Sequence, residues 1–179
     1  LASIGADIEL RIVINKMNYQ RLPQLSEFIW KNLPFVAYIS FMGLEDTGYS
    51  IKNHNKVWID PIDYQKELEK AVVNLAEWKL DVSIFNIPIC LLKPSLYKFA
   101  KKSISDWKVC YIDACSKCSK KHECCGLFST SKIQSPSINP YNKTKNELYL
   151  HIELEYLIQR INTKIKVFIS FTLILSPLR

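Results

Sequence analysis

Between residues 8 and 86 the apolar pattern alternates between a period of about 2 and one of about 3.6, and few folds accommodate that rhythm. Ile8, Leu10, Ile12 and Ile14 alternate with Glu9, Arg11 and Val13, which marks a strand with one apolar face. Leu22, Leu25, Phe28 and Ile29 then fall at helical spacing, and Asn32-Leu33-Pro34 stops that helix at about Asn32. Phe35 to Met42 is a near-continuous apolar run, expected of a strand covered on both faces, and a loop from Gly43 to Gly48 follows it. Asp60 can cap a helix whose first position is Pro61, with Tyr64, Leu68, Ala71, Val72 and Leu75 as its apolar stripe through about Trp78. A third strand, Leu80 to Asn86, comes directly after. With right-handed crossovers, β-α-β-α-β builds a parallel sheet or part of a barrel, so the expected class is α/β.

After Pro88 the chain changes character to short elements with Cys, Lys and Ser. Cys115, Cys118 and Cys124 form C-x2-C-x5-C, and Cys90 lies upstream at the expected end of the third strand. A C-x2-C turn aims two sulfurs at one centre, and a third Cys six positions on can return to it. A closed tetrahedral or cubane site still needs a fourth ligand, for which Cys90 is the candidate. Adjacent cysteines cannot easily ligate one ion, so the spacing favours Cys124 over Cys125. Cys110, in Trp107-Lys108-Val109-Cys110-Tyr111, has the context of a packed thiol. His122, among Lys120, Lys121 and Glu123, suits a solvated loop, and His151 a surface or packing position. Spacing alone does not separate zinc from an iron–sulfur cluster.

Composition narrows the classes. With 48% apolar residues and only 4 Gly and 8 Pro in 179 residues, the chain can bury a core, which excludes collagen-like and fully disordered readings. The formal charge of +7 permits acidic partners, but the basic residues are scattered, so nucleic acid is not indicated. The longest apolar run, Val167 to Leu175, is broken by Ser170 and Thr172 and falls far short of the roughly 20 residues of a spanning helix. The first residues lack a basic region followed by an apolar core. The expected setting is cytoplasmic, where thiolate ligands prevail over disulfides. An opening on Leu1 that runs at once into a strand pattern reads as a piece of something longer.

Particular strings carry a resemblance. They are Phe28 to Val36 (FIWKNLPFV), Met42 to Gly48 (MGLEDTG), Trp58 to Pro61 (WIDP), Val82 to Leu92 (VSIFNIPICLL), Phe99 to Lys108 (FAKKSISDWK), the cysteine cluster and Gly126-Leu127-Phe128. In one collinear register over roughly residues 1–135, the chain resembles the His-Xaa-Ser system radical SAM maturases. The resemblance implies the C-terminal part of a partial (β/α) radical SAM barrel over residues 1–88. A small cysteine-rich twitch-like or SPASM-like extension would occupy 89–130, holding an auxiliary [4Fe-4S] cluster on Cys90, Cys115, Cys118 and Cys124. It also implies a ribosomally made peptide as substrate and a paired radical SAM maturase as partner; the short apolar runs add the expectation of no membrane. S-adenosylmethionine and a second [4Fe-4S] cluster would belong only to the full-length enzyme. The SAM-cleaving C-x3-C-x2-C motif cannot be built from Cys90, Cys110, Cys115, Cys118, Cys124 and Cys125, so this chain alone is expected to be inactive. Cys125 stands where the family pattern suggests Gly. The last stretch, residues 131–179, matches nothing in the family, and its amphipathic (ELYLHIELEYLIQRI) and strand-like (KIKVFISFTLIL) parts have no assigned role.

On a barrel wall, Ile8, Leu10, Ile12 and Ile14 face the helices, which turns Glu9 and Arg11 inward. Buried charges there need partners. These can come from a missing half, or Arg11 can hold the carboxylate of S-adenosylmethionine or a peptide group through its bidentate fork. Glu45, just past the second strand at the end where barrel sites lie, is the second cofactor- or peptide-binding candidate, against ordinary loop solvation. Lys16 and His54 stay unassigned. A small zinc-binding protein or nucleic-acid interaction module is the alternative reading.

Overall fold

The strand pattern sets the register of the sheet. In the computed structural model, which describes residues 6–141, β1 (Ile8–Val13), β2 (Val36–Met42) and β3 (Asp81–Phe85) pair in parallel in the order β1-β2-β3. Leu10, Ile39 and Val82 form one row across the sheet, and Ile12, Phe41 and Ile84 the next. Both rows point toward the helices. The opposite face carries the rows Glu9–Tyr38–Asp81, Arg11–Ser40–Ser83 and Val13–Met42–Phe85. Alternation along each strand therefore separates a uniformly apolar face from one that mixes polar rows with the apolar row Val13–Met42–Phe85.

Helices α1 (Leu22–Asn32) and α4 (Gln65–Glu77) cover the apolar face. Pro23 sits in the first turn of α1, where its missing N–H costs nothing, and Leu22, Ser26 and Ile29 are its buried side. From α4 the sheet receives Leu68, Ala71, Val72 and Leu75, each fully buried. Trp30 and Trp78 stack with ring centroids 4.6 Å apart, joining the two helices. Between β2 and α4 lie two single turns, α2 (Tyr49–Lys52) and α3 (His54–Val57).

The expected helix from Pro61 begins differently. Asp60 accepts the Ile62 N–H as anticipated, but Pro61–Tyr64 winds as a 3-10 turn and the α-helix opens only at Gln65. Tyr64 leaves helical dihedrals (φ −111°, ψ 14°), and its ring is buried in the core. At the other end Lys79 has φ +62°, with its N–H bonded to the Ala76 carbonyl and that of Leu80 to the Leu75 carbonyl, both at 3.0 Å. That is a Schellman ending with Lys where glycine is the unstrained residue.

Beyond β3 the chain has little regular structure, yet Ile87, Leu91, Leu92 and Leu96 enter the same core as the strands. Two 3-10 turns, Ile89–Leu91 and Pro94–Phe99, carry it to Ala100, which bridges Ile84 in parallel. Then β4 (Val109–Cys110) pairs antiparallel with β5 (Leu127–Phe128), spanned by a 3-10 turn at Asp113–Lys117 and further turns. Residues Leu1–Pro140 cluster as one compact unit. Among the described residues no helix is long and apolar enough to cross a membrane. The amphipathic and strand-like patterns past residue 146, and His151, lie outside the described residues.

Two substitutions test this packing. Leu68→Ala should cost about 2–5 kcal/mol in urea unfolding, as for a fully buried aliphatic side chain. Lys79→Gly should instead stabilise the chain by about 1 kcal/mol, by relieving the left-handed backbone. A neutral or destabilising Lys79→Gly would show that the ending carries no strain.

Candidate metal centre

The backbone aims the cysteines. Cys118 N–H reaches back to the Cys115 carbonyl (3.2 Å), Lys121 N–H to that of Cys118 (3.2 Å) and Cys124 N–H to that of Lys120 (3.0 Å). Successive tight turns thus bring the third sulfur of C-x2-C-x5-C back toward the first two. Cys90 comes from the 3-10 turn Ile89–Leu91, several residues past β3 rather than at the strand's end, because the chain first turns through Asn86-Ile87-Pro88. Cys90, Cys115, Cys118 and Cys124 together line one pocket, whose walls include Pro88, Ile89, Tyr111, Leu127, Ile138 and Pro140. Cys110, Cys125 and His122 are not among its lining residues. No three His, Cys, Asp or Glu side chains among the described residues stand close enough to hold a single metal ion.

Gly126 forms the floor. Its φ is +76°, and a Cβ there would lie 2.5 Å from Val109 Cγ2 and 3.1 Å from the Cys110 carbonyl oxygen. The left-handed position thus falls on Gly126 itself and not on Cys125. The Gly126 N–H points at Cys124 Sγ (3.4 Å), and the Tyr111 hydroxyl donates to the Cys124 carbonyl (3.1 Å). Cys125 is buried behind, with its thiol directed to the Gly126 carbonyl at 3.4 Å.

Burial pushes the Cys90 thiol up to about 11 and also raises Cys115. Cys124 is held well below the usual thiol range, first by its contact with the Cys125 thiol and further by the Gly126 and Ile89 backbone and the charge of Lys102. The same contact, with burial, raises Cys125. Lys120 and Lys121 line the pocket wall, Lys120 paired with Glu123 at 2.9 Å.

Arg11 and Glu45 lie together in a second, wider and more open groove at the carboxyl end of the sheet, with Lys101, Lys102, Ser103 and Lys108. Neither is an isolated charge. Arg11 is 60% exposed and pairs with Glu9 at 2.8 Å, and that contact holds the Glu9 carboxyl below its ordinary range, aided by the Ser40 hydroxyl. Glu45 receives Lys108 Nζ at 3.1 Å and the Thr130 hydroxyl. The charges of β1, expected to be buried, instead pair with each other on an exposed strand face, two residues apart.

Other polar contacts escaped the sequence pattern. Asp46 is buried and accepts the Ser50 hydroxyl (2.9 Å) and His54 Nδ1 (3.2 Å), while His54 stacks on Trp58 at 5.0 Å. Asp60 accepts the hydroxyls of Ser135 and Ser137, which lie two residues apart in a stretch that had no assigned role. The spacing of those two serines was the available signal.

Gly126→Ala tests the floor of the pocket. The added methyl meets Val109, and alanine is strained at this φ, so an unfolding loss of about 1–3 kcal/mol is expected. An unchanged midpoint in denaturant would place Gly126 outside any tight turn. Comparison with family models, with curated proteins and with solved structures finds no match.

Proposed function

We propose that this chain is the C-terminal part of a cytoplasmic radical SAM peptide maturase of the His-Xaa-Ser type, holding an auxiliary [4Fe-4S] cluster on Cys90, Cys115, Cys118 and Cys124. The observation that carries the reading is the convergence of these four cysteines, from segments 25 residues apart, on one pocket, with Cys110 and Cys125 left out of its lining. The donor set fits such a group. Four thiols surround an otherwise largely apolar cavity, one is predisposed to ionise, and a backbone N–H is already aimed at its sulfur.

Four thiolates suit either one zinc ion or a cluster, and the resemblance favours the cluster. Zinc gathers its thiolates at about 2.3 Å from a single centre, whereas a cubane takes them on separate irons at its corners. When bound, an auxiliary cluster supplies a one-electron site or an anchor for substrate. The chain's own residues do the rest. Gly126 N–H donates toward Cys124, Lys121 at the pocket wall and Lys102 beside it partly offset the roughly −2 charge of four thiolates on a 2+ cluster, and Tyr111 fixes the Cys124 backbone.

In this reading the wide groove receives the peptide. Arg11 and Lys108 can exchange Glu9 and Glu45 for a peptide carboxylate or carbonyl, and the groove lies at the carboxyl end of the parallel strands, where open α/β folds bind ligands. A paired maturase would be the partner, and S-adenosylmethionine would be handled by the full-length enzyme.

Anaerobic reconstitution decides between metals. About four irons and four sulfides per chain are expected, with a broad charge-transfer absorption. Cys124→Ser should abolish uptake while Cys125→Ser leaves it nearly intact; one zinc and no colour, or the reverse ranking, would sink the cluster or its ligand assignment.

A further outcome concerns catalysis. No arrangement of the six cysteines gives C-x3-C-x2-C, and a cluster with four Cys ligands presents no open iron. The reduced, reconstituted chain should therefore yield no 5′-deoxyadenosine from S-adenosylmethionine above a protein-free control, measured by chromatography. Production of the nucleoside would overturn the auxiliary role.

A further inference from the structure

Residues 131–140 have no regular secondary structure, yet they are tied down at several points. The Asp46 N–H donates to the Ser131 hydroxyl (3.0 Å), and Gln134 Nε2 to the Phe128 carbonyl (2.7 Å). Ser135 Oγ lies 2.9 Å from each oxygen of Asp60, Ser137 Oγ lies 3.4 Å from one of them, and the Ser137 N–H donates back to Ser135 Oγ (3.0 Å). Asp60 is only 7% exposed, so its carboxylate depends on these hydroxyls and the Ile62 N–H to replace water.

Just past this clasp the segment reaches the cysteines. Ile138 packs against the core, and Ile138 and Pro140 are part of the pocket wall. Asn139 lies between these two wall residues, on the side of Cys90. Without residues 138–140 the pocket would be open on that side.

We propose that Asp60 is a positioning residue for the cysteine pocket: through Ser135 and Ser137 it holds Ile138–Pro140 down as one wall, and so governs solvent access to Cys90. The purpose of the wall rests on the metal reading, but the wall itself does not. Solvent access and hydrogen bonds to sulfur set the potential and lability of thiolate-bound clusters, so a carboxylate in the α/β part would tune a centre it does not touch.

The full chain can be compared with Ser135→Ala/Ser137→Ala, with Ser135→Thr, which keeps the hydroxyl, and with Ser95→Ala, which removes a hydroxyl from another carboxylate, Glu69. Iodoacetamide labelling of the metal-free protein, mapped by peptide mass, reads each cysteine separately. Hydrogen bonds to a charged group are strong, so the double variant should label Cys90 about tenfold faster, with Cys110 unchanged. Ser135→Thr and Ser95→Ala should behave as wild type. Unchanged Cys90 labelling, or equal acceleration at Cys90 and Cys110, overturns the proposal. On iron-loaded protein the double variant should also release iron to a chelator faster than wild type. A wild-type chain that takes up no iron overturns the metal reading, and the labelling ranking still decides whether Asp60 holds the wall.

Discussion

At their carboxyl ends β2 and β3 approach so closely that the residue after β2 has no room for a side chain. The Gly43 N–H donates to the Phe85 carbonyl at 2.9 Å, and a Cβ on Gly43 would lie 2.6 Å from the Asn86 carbonyl oxygen. Asn86 takes φ +62° there, with its N–H and side chain both bonded to Ser103 Oγ at 2.8 Å. Asparagine tolerates that conformation better than most residues. From this junction one segment leads to Glu45 and Asp46, and the other to Pro88 and Cys90. The position of the groove and that of the cysteine pocket relative to the sheet both derive from it.

How much of this was legible in sequence varies with the range of the interaction. Element types in the α/β part follow from periodicity alone: α1 ends at Asn32, and β2 and β3 fall within the apolar runs expected for them. The start of α4 does not, because Tyr64 bends out of the helix to fill the core, a tertiary demand invisible to a capping pattern. The C-x2-C-x5-C spacing likewise brought Cys115, Cys118 and Cys124 together, since its turns are local. Placing Cys90 with them depended on the left-handed turn at Asn86 just past β3, which spacing does not encode. Hardest to foresee was Asp60 with Ser135, a contact across 75 residues whose only trace is a pair of hydroxyls two apart.

The ionic pattern of the groove belongs in the same frame. Strand alternation turns Glu9 and Arg11 to one face, and neighbours two apart on a strand lie close enough for Arg11 to fold over onto Glu9. That pair is largely exposed, as is the rim contributed by Lys101 and Lys102, so its attraction is weak in water and salt. A groove of this kind exchanges partners readily. The Asp46–Ser50–His54 contacts are of the other kind, built around a buried carboxylate, and they fix the loop that leaves β2.

The stacked rings of Trp30 and Trp78 have a practical consequence for anyone following this chain in solution. Two indoles 4.6 Å apart and inclined by 20° couple their electronic transitions, giving a signed doublet in ultraviolet circular dichroism that exists only while α1 and α4 remain side by side. Trp107, 74% exposed in the cysteine-rich part, emits instead from a watery environment at longer wavelength. The chain thus carries separate optical reporters for its two regions, so that loosening of one can be watched without attaching a dye to either.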